Sequence, residues 1–308
     1  MIFGRAQGSR RLRGPMESVS PTLTRRDALI GAGVMLAGFS SGGAAHTPRD
    51  RAPIAALAVD DPVFNTRIVG RLQGDLSGRQ RWIYNPGFVF ATVPGQGLAP
   101  AEFGRLLYRV EGFTSRISRL LPDGSVEERS QSWMCYRHPT EDHWLNIFEN
   151  PWTAETLEVP PFRGGTSHSW IKPHTGIALE GNADLESTAI GAPSRLAWRV
   201  LGERVWLSRH AASRLRLGDR SVRNEFSMDA WTCRLSELLD PRLTHLPSTY
   251  SWTSQAQWQP WLRMADRPGG LIWRIESMVL DHLEQMPEGL VERLSRVLPG
   301  KLQETLQW

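Results

Sequence analysis

From residue 81 to residue 280 the chain is cut into short β-branched and aromatic runs by tight-turn signals, with no helical runs alternating between them. That punctuation constrains the fold more than any other feature, because parallel sheets need a crossover of a dozen residues and two-residue turns join only antiparallel neighbours. Residues 81–84 and 88–93 flank Asn85-Pro86-Gly87, read as a turn. Residues 114–120 and 125–137 flank Pro122-Asp123-Gly124, where Asp-Gly supplies the positive φ of a hairpin. Residues 196–201 and 204–209 flank Gly202-Glu203, a Gly-X hairpin pair. Further strands are expected at 104–111, 143–149, 222–233, 248–256 and 270–279. One helix is legible: from Pro287 the residues Leu290, Leu294, Val297 and Leu298 share a face, and Pro299-Gly300 stops it. The expected fold is mainly antiparallel β, a barrel or sandwich closed by a C-terminal helix. The length would also permit two barrel-like halves, 61–160 and 195–308, joined through a looser stretch at 160–195.

The charge is an address rather than a clue to partners. The chain of 308 residues carries 36 Lys+Arg against 32 Asp+Glu, formally +4. Residues 1–45 hold six arginines and two acids, so the remainder holds thirty of each sign. A neutral mature chain removes the phosphate-neutralising argument for nucleic acid and the polybasic argument for a membrane surface. Thr24-Arg25-Arg26-Asp27 precedes a glycine-rich apolar stretch that ends in small residues at Ala45. Paired arginines before a short apolar run are the pattern of a twin-arginine export signal. The apolar run is about a dozen residues, short of the ~20 that span a bilayer. We therefore expect a leader over 1–45, a Pro/Ala-rich linker over 46–60 and a β-rich domain over 61–308. The partner would be the twin-arginine export machinery, the destination the periplasm or the exterior, with no membrane span in the mature chain. Met16 is as good a start as Met1.

Few residues advertise chemistry. Cys135 and Cys233 each follow a Trp two positions earlier, Trp133 and Trp231, and so share a strand face with it. An oxidising compartment allows a bridge between them; two buried thiols acting as small hydrophobes is the equal alternative. His138 and His143, with Glu141 and Asp142 between them and His168 following, are metal-ligand types, yet His-Pro-Thr-Glu is also a natural hairpin turn with its charges in water. Trp258, Trp261 and Met264, followed by Asp266 and Arg267 in a Pro-Gly turn, suit a pocket mouth with aromatic walls and a polar anchor; the plain alternative is a turn before the next strand. Glu111, three residues after Tyr108, lies on a strand and would be an acid or base if it pointed inward. No zinc-protease, P-loop or nucleophile-elbow pattern is present, and no cofactor is implied.

With Gly74-Asp75-Leu76-Ser77-Gly78, Glu111-Gly112, the double turn from Tyr136 to Asn150-Pro151, and Trp261 to Gly269, the chain resembles the domain of unknown function 1838 family over about residues 61–300. It departs from that family at His138-Pro139-Thr140-Glu141, where an Asp-Pro-x-Thr-Gly turn is usual, and over 162–174. The resemblance implies one fold along that length and no particular activity. Two functions are compatible with these residues. One is a protein binding a hydrophobic or aromatic small molecule, with Tyr108, Trp258, Trp261 and Met264 as wall. The other is an isomerase, cyclase or hydrolase using Glu111 and Asp266 as acid/base, with Arg267 stabilising an oxyanion.

Overall fold

The computed structural model describes residues 57–94, 102–180, 187–190, 195–217 and 221–308. The expected export leader, with Arg25 and Arg26, lies outside the described residues.

The chain folds as one large, wholly antiparallel sheet. In chain order its strands are β1 (Arg81–Val93), β2 (Glu102–Leu120), β3 (Val126–Arg137), β6 (Arg163–Lys172), β7 (Gly176–Glu180), β8 (Ser187–Ile190), β9 (Ala197–Leu201), β10 (Arg204–Leu217), β11 (Ser221–Arg234), β12 (Thr249–Ala256) and β13 (Gly270–Leu280). A separate short hairpin is formed by β4 (Ile147–Glu149) and β5 (Thr156–Glu158). Across the sheet the order is β7-β6-β3-β2-β1-β13-β12-β11-β10-β8, with β9 on β10. The helices are α1 (Pro62–Gln73), α2 (Leu235–Leu239) and α3 (Glu288–Val297).

Two expectations change here. Among the described residues no ladder joins β7 to β8, so the sheet is not closed into a barrel. Nor do the chain's two segments make separate sheets: β1 pairs with β13 from Trp82↔Leu280 to Thr92↔Gly270, welding them at the centre. The mainly β, sandwich-like class with a C-terminal helix stands.

The curled sheet has an inner and an outer face, set by the period of two along each strand. Tyr108, Val110, Thr114 and Arg116 of β2 point inward; Glu111, Phe113 and Ser115 point outward. Inside, one apolar cluster gathers Tyr108, Tyr136, Met264 and Trp273, and a second gathers α1 (Ile68, Val69, Leu72) with Val126, Trp231 and Cys233. The curl is tight enough for Arg163 of β6 to lie 4.6 Å above the Trp273 ring of β13, with three strands between them in the sheet. Outside, α3 lays Leu290 and Leu294 over Phe113 and Cys135. The C-terminal tail continues over the same face, where Gln131 Nε2 donates to the Lys301 carbonyl (2.9 Å) and Arg129 Nη1 to that of Gln307 (2.9 Å).

Local rules explain most joints. In the β2–β3 hairpin Gly124 takes φ +81° and Asp123 accepts from the Ser125 N–H (2.9 Å); Gly202, at φ +56°, turns β9 into β10. Helix α1 starts at Asp61, whose carboxylate accepts from the Val63 N–H (2.9 Å), with Pro62 at its first position. Asn85-Pro86-Gly87, expected as a turn, instead runs straight through β1. Its ladder to β13 skips Asn85 and Pro86, so the missing proline N–H falls where β13 makes no pair.

Candidate functional site

Between the two inner clusters the sheet leaves a cavity of about 230 Å³. Its apolar wall comes from Leu72 at the end of α1 and from Met134, Trp231, Trp252 and Ile275 on four strands. Its polar side is a relay across four adjacent strands. Ser277 Oγ donates to Asn85 Oδ1 (2.7 Å), Asn85 Nδ2 donates to Thr114 Oγ1 (2.9 Å), and Thr114 Oγ1 lies 3.0 Å from Ser132 Oγ. Side chains at neighbouring register positions on one face of a sheet stand about 5 Å apart, so a row of short polar residues there becomes a continuous hydrogen-bonded chain.

Charged groups flank the cavity in balanced pairs. Tyr250, on its wall, donates to Asp229 Oδ1 (2.7 Å), and Arg209 holds Oδ2 of the same carboxylate through Nε (3.0 Å) and Nη2 (2.7 Å). Burial and then the Asp229 charge push the Tyr250 phenol well above its ordinary value, so it stays neutral. For Arg209, burial works against the charge and Asp229 outweighs it, leaving the guanidinium firmly cationic. Arg116, also on the wall, donates through Nη1 to the Gln73 carbonyl (3.3 Å) and faces Glu128 at 3.5 Å.

The residues proposed from sequence are not brought together. Glu111 is buried on the outer face, where it accepts from the Tyr84 hydroxyl and Arg137 Nε, and Arg137 reaches on to Asp142 and stacks on Trp144. Burial and then Glu111 push the Tyr84 phenol upward, and the tie joins β1, β2 and β3 on the face opposite the cavity. Asp266 and Arg267 are exposed on the turn before β13. Acid, base and oxyanion donor therefore lie on different surfaces and form no shared site. Tyr108 (0% exposed) and Met264 (1%) are packed core, not pocket wall. Trp261 closes that core: Gln259 Oε1 accepts from Tyr108, Tyr136 and Trp261 together, a buried polar hub ringed by aromatics. Trp258 is half-buried against Trp152 and donates to the Arg267 carbonyl (3.2 Å).

His138 to His143 forms the expected turn, closed by the His138 N–H donating to the His143 carbonyl (3.0 Å). It does gather His138, Glu141 and His143 with ligand-type atoms within 4.8 Å of one another. However, His138 Nδ1 accepts from the Glu141 N–H (3.0 Å), which leaves Nε2 protonated in the neutral ring and without a lone pair for a metal. His168 stands elsewhere, 2.7 Å from Glu127. The cysteines are free: Cys135 faces outward under α3, Cys233 inward, with four strands between them in the sheet, so no bridge forms. Burial pushes both thiols up to about 11.

A wider groove of about 750 Å³ opens on the outer face over β9 to β13. On its lining Arg274 is paired with Glu276 (2.9 Å) and with Thr253 (3.0 Å), and Arg199 is exposed.

The model of the family described as Protein of unknown function (DUF1838) matches residues 224–304. The match takes in most of β11, then α2, β12, β13 and α3, a shorter stretch than the resemblance read from the sequence, and carries no activity with it. No curated protein matches the chain, and no solved structure does.

Proposed function

We propose that this protein is exported and binds a small, largely apolar molecule in the cavity between its two inner clusters. The observation that carries the reading is the relay Ser277–Asn85–Thr114–Ser132, set into a wall otherwise built of Trp, Met, Ile and Leu. Apolar enclosure with a few convergent polar groups is the usual composition of a ligand site. Buried hydroxyls add little to stability over apolar residues of the same shape, so a row of them facing free space suits recognition better than packing. The volume lies below the ~300 Å³ at which ligand pockets commonly begin, so the occupant is one or two fused rings rather than a chain or a sugar polymer.

The test is saturable quenching of tryptophan fluorescence by a bicyclic probe, 1-indanone, in the wild type and in Thr114→Trp, which fills the cavity. Binding in the first and its loss in a folded second supports the reading; no saturable binding in either contradicts it. Export is supported by Arg25-Arg26 ahead of the apolar run. Replacing both arginines by lysine should leave the protein inside the cytoplasm, and unchanged export would remove this part of the reading.

A further inference from the structure

The outer groove is opposite in character to the cavity: open, larger and lined by hydroxyls. Its shape follows from side-chain size along the register. On the outer face Trp206 of β10 stands opposite Thr232 of β11, and Thr232 opposite Thr249 of β12. One row on, Ser208, Ala230, Ser251 and Glu276 follow one another from β10 to β13. The floor on β11 and β12 is thus built of small side chains, with Trp206 rising on one side and Arg274 and Glu276 on the other. With β11 and β12 between them, β10 and β13 lie about 14 Å apart along the sheet.

Floor and walls both keep free binding capacity at accessible atoms. Trp206 is 37% exposed, and among the described residues no ring or guanidinium stacks on it. The hydroxyls of Ser208, Thr232, Thr249 and Ser251 line the groove at half-buried or exposed positions, and none bonds to another described residue. Arg274 and Glu276 hold each other through Nη2 and Oε1, which leaves Nε of the first and Oε2 of the second open. A hydroxyl both donates and accepts, so a row of them between a free donor and a free acceptor suits a molecule that is itself dense in hydroxyls. The indole adds a flat apolar face beside them. Other occupants fit less well. A nucleic acid needs an excess of cations, and beyond residue 45 the signs balance at thirty each. An added peptide strand needs a free sheet edge, whereas β10 to β13 are paired on both sides. A wholly apolar molecule would strip water from the hydroxyls and return no hydrogen bond.

We infer that the outer groove is a second site, independent of the cavity, for a short, extended saccharide of all-equatorial sugars. One ring lies with its C–H face on Trp206, and the chain's hydroxyls bond to the floor and to the Arg274–Glu276 pair. Equatorial hydroxyls leave both ring faces lined by C–H, which an indole can cover, and an extended chain reaches across the floor where a single ring would not.

The test is isothermal titration calorimetry of the full chain with cellotriose, glucose and maltotriose. Cellotriose should bind saturably and more tightly than glucose or the bent maltotriose. Trp206→Ala should weaken it about tenfold, as loss of an aromatic anchor does, and Ser251→Trp, which fills the floor, should abolish it. Saturating 1-indanone should not displace it. No saturable binding of cellotriose would overturn the inference, and so would binding unchanged in both variants or tighter binding of maltotriose. Displacement by 1-indanone would overturn the claim of a second site. A dimer in sedimentation that Trp206→Ala dissociates would give this face to a second copy of the chain and overturn it as well. If 1-indanone binds and cellotriose does not, this inference falls and the cavity reading stands. The comparison of sugars in the wild type decides the matter even if one variant does not fold.

Discussion

Gly112 shows how much a single position can be asked to do. It lies on β2 opposite Met134, and a Cβ there would stand 2.1 Å from the Trp133 carbonyl oxygen and 2.7 Å from Met134 Cα. Both obstacles are backbone, so neither can rotate away. Gly112→Ala should lower stability by about 1–3 kcal/mol, the range for overpacking, read as a lower urea midpoint at unchanged slope. The thiols give a second residue-scale test. With both thiols buried and pushed up to about 11, native protein should resist a thiol reagent near neutral pH, and two thiols should react on unfolding without reductant. Detecting none in unreduced, unfolded protein would mean a bridge the fold does not make. At this scale the sequence was partly readable. The alternation that sets Cys135 beside Trp133 and Cys233 beside Trp231 held, but alternation cannot say which face is the inner one, and here the two cysteines chose opposite faces. The same ambiguity hid Thr114 and Ser132 while making Glu111 conspicuous.

At the level of elements, turns that need a positive φ were legible and those that do not were misleading. Asp123-Gly124 and Gly202 turn the chain as expected. Asn85-Pro86-Gly87 does not, because the ladder with β13 skips the proline and Gly87 lets β1 approach closely: a Cβ there would meet Ile275 Cδ1 at 2.3 Å. Reading that triplet as a turn concealed Asn85, the centre of the polar relay. Helix α1 has no counterpart among the elements expected from the sequence, although Asp61-Pro62, at the expected start of the domain, is a cap and first-turn pair. Its Arg71 donates to three carbonyls around the end of α2: Leu238 (2.9 Å), Glu237 (3.1 Å) and Asp240 (2.8 Å). Arg71→Met should therefore cost about 1–3 kcal/mol, since it leaves the buried Leu238 carbonyl without its donor while largely preserving side-chain volume. Thermal or urea unfolding would measure it, and a loss within a few tenths of a kcal/mol would show that water replaces the guanidinium there.

Over the whole molecule, the outer face is held by a tie among β2, β3, β6 and the C-terminus. Glu127 accepts from Arg119 Nε (2.7 Å) and lies 2.7 Å from His168 Nε2, while Arg119 stacks 4.3 Å over Trp308. Burial would raise the Glu127 carboxyl, but hydrogen bonds from Arg119 and His168 outweigh it and hold it below the ordinary 4.5. A depressed folded value means the unfolded chain takes the proton first. This contribution is therefore complete above 4.5 and is lost as pH falls through the lower folded value. The midpoint of guanidinium-chloride unfolding should decline as pH falls from about 5 to about 3, and Glu127→Gln should flatten part of that decline. An equal slope in the variant would place the acid sensitivity elsewhere, for example at Asp75, whose carboxyl is also lowered because hydrogen bonds from Thr244 and Ser77 outweigh its burial.

The central claim is that the interior cavity, and not the outer groove, takes the ligand. The most direct measurement is a crystal structure of the protein soaked with 1-indanone. The account predicts density between Trp231 and Trp252, beside the Thr114–Ser132 hydroxyl pair. Density confined to the open groove beside Trp206 and Arg274, with the cavity unchanged, would contradict it.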